Sequence, residues 1–343
     1  MKIPWRWIVF ALGLGVFGWM LWSIGPREIW ANVEALGWKA VLVPLPFFLV
    51  YVIDAVGWVI AFGRQKIDVW YPAMLRIRWA GEAINYILPT AYVGGEAVKV
   101  YLLHKRGVAP TVSGTAAVVS KSCQTLAMVI FIAGGALAAL PYLPENSPAK
   151  QGMMTVAGLA FVGVGGLFWM QKHGVFATML AVVRLVGLKI QTLEKKRPHF
   201  EKMDAGVRDF YRDEKGRFFT STIVFLLGWL ADTLEILLVS HLLGVPLDWQ
   251  QAFALEAFIA VAKAVGMFSP GSIGVQEMGI VFLFRLFGLP EALGGAYALI
   301  RRGREFVFGV VGWSFIVAEE HSVAELQRHM KEDQSSSSDL ESG

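Results

Sequence analysis

Apolar stretches long enough to cross a bilayer recur along the chain, among them Trp5 to Ile24, Trp38 to Phe62, Thr111 to Leu140 and Phe218 to Leu243. A helix needs about 20 such residues to span a hydrocarbon layer of about 30 Å, and in lipid its backbone must satisfy its own hydrogen bonds. A soluble chain of 343 residues has no core large enough to hide several of them. With 55% hydrophobic and 17% charged residues and a mean hydropathy of +0.53, the composition agrees. The expected fold class is therefore an all-α polytopic membrane protein with about six transmembrane helices. The 13 Trp and 23 Phe suit helix ends at headgroup level and flanks against acyl chains.

The basic residues give the expected topology, because cytoplasmic loops collect Lys and Arg. Lys2 and Arg6 mark the N-terminal end of the first run, which lacks a small-residue cleavage site and reads as a retained helix. Arg64, Lys66, Arg76 and Arg78 mark a cytoplasmic loop, and His104, Lys105 and Arg106 mark another. On this basis residues 1–37 form an N-terminal transmembrane helix and outer loop, and 38–140 form a first repeat unit with a re-entrant hairpin at 75–103. Residues 141–217 comprise an outer loop, a connecting transmembrane helix (Gly152 to Met170) and a basic cytoplasmic segment, with an amphipathic interfacial helix at Val175 to Leu193. Residues 218–318 form a second unit with a hairpin at 249–287, and 319–343 form a disordered cytoplasmic tail. Both termini are expected in the cytoplasm. The net charge of +4 sits beside spans, so nucleic acid is not an expected partner.

Two stretches interrupt the apolar pattern, Pro89-Thr-Ala-Tyr-Val-Gly-Gly-Glu96 and Pro270-Gly-Ser-Ile-Gly-Val-Gln-Glu277. Pro89, Gly94 and Gly95 in the first, and Pro270, Gly271 and Gly274 in the second, disfavour a continuous helix. Each stretch reads as a re-entrant hairpin of helix, break and helix. Irregular backbone at membrane depth is tolerated only where it is buried in protein or lines a wet cavity. The two breaks are one break used twice. From Glu96 to Glu277 the offset is 181 residues, and the same offset pairs Asp54 with Glu235, Gly63 with Gly244 and Gly107 with Gly288. After a one-residue slip, Gly114 falls on Gly294, Lys121 on Arg301 and Thr125 on Glu305. Three expected crossings separate the units, so the repeat should be inverted, with a site at its interface near the midplane.

Lys121 and Arg301 each lie about ten residues into a span, which places them about 15 Å deep. Ionisable groups at that depth are expensive unless they are paired or face water. Candidate substrate-binding residues are Glu82, Asn85, Glu96, Lys99 and Lys121 in the first unit, and Lys263, Glu277, Arg301, Arg304 and Glu305 in the second, where Glu256 also falls. Cations suit a phosphate, and carboxylates suit a cationic or hydroxylated headgroup. Arg301, Arg304 and Glu305 share one helical face, and Lys121, Gln124 and Thr125 form its counterpart. The same residues also read as internal salt bridges, such as Arg301 to Glu305, and Glu96 and Glu277 also read as helix caps. Asp54, Asp232 and Glu235 are candidates for ion or proton coupling, or for partners of a basic side chain. The six histidines are scattered, no HExxH, cysteine cluster or Walker motif occurs, and neither metal, cofactor nor catalytic residue is expected.

The segment Gly81-Glu-Ala-Ile-Asn-Tyr-Ile-Leu-Pro89, leading to Gly94-Gly-Glu96 with Lys121 downstream, resembles the lysylphosphatidylglycerol synthase transmembrane-region family. Ser269-Pro-Gly-Ser-Ile-Gly-Val-Gln-Glu277, followed by Phe284-Arg-Leu-Phe-Gly-Leu-Pro290, is similar to its other hallmark, and the resemblance runs from about Trp5 to Ala318. That family includes the flippase half of the multiple peptide resistance factor. The resemblance implies a lipid translocase acting on an anionic or aminoacylated phospholipid, or on a polyprenyl-, hopanoid- or glycolipid-type lipid. It also implies Glu96, Lys121, Glu277 and Arg301 as candidates for the headgroup path. Gln276 stands where the resemblance implies a basic residue in many relatives. Only a short tail follows Ala318, so this chain alone is not expected to synthesise lysyl-lipid. The alternatives are a membrane-embedded lipid-modifying enzyme or subunit, and a secondary transporter of a small solute or ion. A homo-oligomer or a lipid-synthesis partner is compatible with each.

Overall fold

A computed structural model describes residue 22 and residues 26–65, 67–87, 93–143, 148–173, 197–266 and 272–341. Among the described residues every regular element is helical. Helix α1 (Pro26–Leu36) runs through a 3-10 turn (Gly37–Leu42) into α2 (Pro44–Ile60). Then follow α3 (Tyr71–Ile87), α4 (Val93–Lys105), α5 (Pro110–Ala139) and α6 (Pro148–His173). The second half holds α7 (Arg197–Asp213), α8 (Lys215–Leu242), α9 (Trp249–Val265), α10 (Val275–Leu286) and α11 (Glu291–Glu341).

Local chemistry sets the boundaries. Proline opens α2 and α5, where its missing N–H would have no helical partner. Asp248 caps α9 by accepting the Gln251 amide at 2.8 Å. Gly63, Gly107, Gly244 and Gly288, two pairs at the 181-residue offset, follow α2, α4, α8 and α10 with φ of 67°, 86°, 77° and 72°. Behind the last three, Val108, Val245 and Leu289 donate back to Leu103, Ser240 and Phe284, which closes each helix with a left-handed cap. The element series of the first half thus recurs in the second, with α2 to α5 answered by α8 to α11.

Packing follows the same exchange. Helix α2 packs against its counterpart α8, α5 packs on α9, and α3 packs on α11, so each half's first hairpin helix lies on the other half's closing helix. Small residues let these pairs approach: a Cβ on Gly135 would lie 2.1 Å from the Ala257 Cβ, and one on Gly312 would lie 2.7 Å from that of Ala83. Trp79, Phe308, Phe47 and Tyr51 stack at the crossing of α2, α3 and α11, and the Trp79 indole donates to the Phe308 carbonyl at 2.8 Å. Large apolar side chains such as Leu137, Phe161, Val162, Phe282 and Phe306 remain exposed, as lipid-facing residues do.

Among the described residues two helices are long and apolar enough to cross a membrane, Pro110–Tyr142 and Lys215–Leu242. The pair Val33–Leu42 and Pro44–Ile60, bent by 41°, makes a third if it counts as one span. Six such spans are not found among the described residues. In α11 the expected crossing carries Arg301, Arg302, Arg304 and Glu305 together, which removes the uninterrupted apolar window. Helix α11 continues to Glu341, through a segment rich in the helix formers Ala, Glu, Leu, Gln, Arg and Lys. The first expected span and the interfacial helix at Val175 to Leu193 lie outside the described residues, apart from Trp22.

Candidate functional site

A cavity of about 330 Å³ lies between α2, α3, α5, α8 and α9, and so draws on both halves of the chain. Its polar lining comprises Asp54, Arg78, Glu82, Tyr86, Lys121, Gln124, Asp232 and Lys263. Its apolar lining includes Phe47, Val50, Met128 and Trp229. The Lys121 side chain keeps 38% of its surface accessible inside an otherwise buried cluster, so the cavity communicates with the exterior.

The first half supplies a balanced set of charges, Asp54, Glu82 and Glu96 against Arg78, Lys99 and Lys121. Arg78 Nη2 lies 2.5 Å from Asp54 Oδ2, and Gln124 donates to the same oxygen at 3.4 Å. Lys99, 1% exposed, pairs with Glu96 at 2.7 Å, sits 5.3 Å from the centre of the Trp58 ring, and shares Glu96 with Lys121 at 3.5 Å. Asn85 ties the hairpin together: it donates to Glu82 at 3.1 Å and accepts the Gly95 amide at 3.0 Å. Such contact needs two glycines, since a Cβ on Gly95 would lie 2.3 Å from the Gly81 carbonyl oxygen and 2.6 Å from the Asn85 amide group.

The second half is more deeply closed. Arg301, 2% exposed, reaches Glu256 at 2.8 Å, Tyr297 at 2.8 Å and Asp232 at 3.5 Å. Arg304 faces Glu235 at 3.1 Å while its guanidinium lies 3.4 Å over the Phe47 ring, a cation–π contact across the two halves. Arg302 bridges Glu277 and Glu305, the latter at 2.7 Å, and Gln276 donates to Glu305 at 3.3 Å. Glu277 also accepts the Gly274 amide at 2.6 Å, so the cap expected of it at the start of α10 is present. Beside it Ser272 holds a left-handed φ of 58° and donates to the Lys263 carbonyl at 3.1 Å.

The residues proposed from sequence therefore divide. Glu82, Lys121, Lys263, Asp54 and Asp232 line the cavity. Asn85, Glu96 and Lys99 stand behind the lining residues of the first half, and Glu235, Glu277, Arg301, Arg304 and Glu305 form the closed network of the second. Of the breaks, Gly94, Gly95 and Gly274 are placed; Pro89, Pro270 and Gly271 lie outside the described residues. Three expectations are corrected. Arg78 is not in a cytoplasmic loop but inside α3, 4% exposed, because Asp54 needs a cation there. The pair Arg301 to Glu305 is replaced by Arg301 with Glu256, which faces it from α9, and by Arg302 with Glu305, one turn apart on α11. Of Glu96, Lys121, Glu277 and Arg301, Lys121 alone lines the cavity. Tyr86 and Arg302 escaped sequence reasoning; the available signal was an unbalanced acidic residue in each apolar run.

Comparison with known proteins agrees with this architecture. A UPF0104 membrane protein of Methanothermobacter thermautotrophicus is 27% identical over 143 residues, 39% of this chain and 41% of that protein. The match thus spans about two fifths of the relative's length. No solved structure matches the chain. The family model described as lysylphosphatidylglycerol synthase TM region matches residues 6–312. Spanning most of the sequence, including both hairpins and the residues that build the cavity, that match makes the chain a member of the lysylphosphatidylglycerol synthase transmembrane-region family.

Proposed function

We propose that the protein is a lipid translocase that passes a phospholipid, polyprenyl or glycolipid headgroup between leaflets of the inner membrane. The observation that carries this is a cavity to which helices of both halves contribute, lined by charged as well as apolar side chains. At about 330 Å³ it has the lower size expected of a ligand pocket, room for a headgroup but not for acyl chains. The chains would trail in lipid while Lys121 and Lys263 meet a phosphate and Glu82 and Asp232 meet cationic or hydroxyl groups. Fixed charges thereby replace the water that the headgroup loses. In this reading α2 to α5 and α8 to α11 form an inverted repeat within six spans and two re-entrant hairpins, both termini being cytoplasmic. Support comes from the reciprocal packing of α5 on α9 and α3 on α11, the pattern a two-fold axis between the halves produces.

The test is leaflet exchange in proteoliposomes carrying fluorescent phosphatidylglycerol, lysyl-phosphatidylglycerol or polyprenyl phosphate. Exchange of at least one lipid, scaling with the amount of protein, is expected. No exchange of any, with chemical turnover of a lipid instead, would establish the enzyme reading; uptake of a soluble solute alone would establish the transporter reading.

A further inference from the structure

The two charged clusters occupy equivalent places in the repeat but differ in their sums. Among the described residues the first holds three carboxylates and three cations. The second holds five carboxylates, Asp232, Glu235, Glu256, Glu277 and Glu305, against four cations, Lys263, Arg301, Arg302 and Arg304. One negative charge is left over in a region from which water is largely excluded, and an uncompensated carboxylate is strongly disfavoured there.

The hydrogen bonding locates the surplus. Asp54 accepts from Arg78 and Gln124, whereas Glu235, its repeat counterpart, is 0% exposed and neither of its oxygens accepts a hydrogen bond. Arg304 stands 3.1 Å away, but none of its nitrogens donates a hydrogen bond. Glu235 faces Arg304, Arg301 and Tyr297 from α11, Glu256 from α9 and Asp232 from one turn earlier on α8. Helix α2 contributes the Phe47 ring that covers Arg304, with Tyr51 beside it; α2 and α5 present Asp54 and Lys121 across the cavity. Asp232 lines the cavity and keeps Oδ1 without a hydrogen-bond partner, so it lies between the cavity and Glu235.

We propose that Glu235 holds an exchangeable proton, delivered from the cavity through Asp232, and that its exchange couples lipid translocation to the pH gradient. Binding forms one O–H bond on a carboxylate oxygen and cancels the surplus charge. Release restores the charge and draws Arg304 toward Glu235, tightening α11 on α8. The coupling rests on the translocase reading; the proton site stands apart from it.

Infrared spectroscopy of the purified protein at neutral pH tests the site without transport. A carbonyl stretch of a protonated carboxyl is expected. It should be lost in Glu235→Gln, which preserves volume and mimics the neutral form, and retained in Asp54→Asn. A wild-type spectrum without the band, or a band undiminished in Glu235→Gln, overturns the proposal. If that variant does not fold, Glu256→Gln serves: it removes the surplus charge, so the band should vanish there too, and its persistence overturns the proposal. In proteoliposomes the wild-type exchange rate should change several-fold when an imposed pH gradient is reversed. Lipid exchange that ignores the pH gradient, or that follows a sodium gradient at equal pH, overturns proton coupling and leaves the translocase reading intact. A band with no exchange of any lipid leaves the proton site standing and defeats the translocase reading.

Discussion

Lys121 and Arg301 share a repeat position and differ in surroundings. Lys121 reaches an accessible cavity, so Lys121→Met should fold normally and lower the lipid exchange rate about tenfold or more, as expected for losing a charged hydrogen bond of about 1.5–3 kcal/mol. Arg301→Met leaves Glu256 and Asp232 buried without their cation, a loss of about 3–5 kcal/mol, and should reduce the yield of folded protein itself. Size-exclusion profiles and melting temperatures separate the two outcomes; equal folding defects in both would remove Lys121 from the transport path. Arg78 gives a matching test. Arg78→Met should destabilise by a similar amount, and adding Asp54→Asn should recover much of the loss, because removing both charges leaves nothing unpaired. Lys121 could be found from sequence because a lone cation deep in an apolar span stands out. Arg78 could not: it sits near Arg64, Lys66 and Arg76, which read as a loop, and its partner Asp54 belongs to the preceding helix. Arg302 was hidden by its neighbours, since it adjoins the face shared by Arg301, Arg304 and Glu305 yet reaches Glu277 across the helix interface.

Among the elements, the hairpins depend on close backbone approach. Gly95→Ala pushes a methyl group into the Gly81 carbonyl and Asn85, and Gly135→Ala does the same to Ala257, so each should lower stability by about 1–3 kcal/mol or more. Gly303 has open space around its Cβ position and serves as the control; Gly303→Ala should be neutral or stabilise by up to about 1 kcal/mol. Thermal unfolding in one detergent orders the three, and a Gly303→Ala variant as unstable as the others would refute the packing explanation. Helix α9 begins at an exposed cap where Asp248 accepts from Gln251 and Tyr142. The amide bond, above all, holds the Asp248 carboxyl below the ordinary aspartate range. A depressed acid stabilises the fold above its unfolded-state value and loses that effect as pH falls through the folded one. Asp248→Ala should therefore cost about 1 kcal/mol near neutral pH and progressively less in acid, visible as converging melting temperatures. A difference that grows as pH falls would contradict this cap. The breaks themselves were legible because proline and paired glycines are scarce inside spans. The left-handed Ser272 was not, because nothing but its neighbours requires that conformation.

Across the whole molecule, the 181-residue offset foretold more than the hydropathy did. It paired the four glycines that end helices in left-handed conformations, and it matches the recurrence of α2 to α5 as α8 to α11. Hydropathy alone was a weaker guide, because α11 carries Arg301, Arg302, Arg304 and Glu305 at mid-length, where lipid-based scales reject charge. The unequal charge sums were beyond sequence reasoning, since they depend on which side chains face inward. The most direct measurement obstructs the cavity chemically. In a Cys123→Ser background, Thr125→Cys at the cavity wall and Gly303→Cys on the exposed face of α11 are labelled with a bulky maleimide, and lipid exchange is then followed in proteoliposomes. Labelling at position 125 should stop exchange, and labelling at 303 should leave it unchanged. Undiminished exchange with the cavity blocked would show that lipid headgroups do not pass between Lys121 and the hairpins.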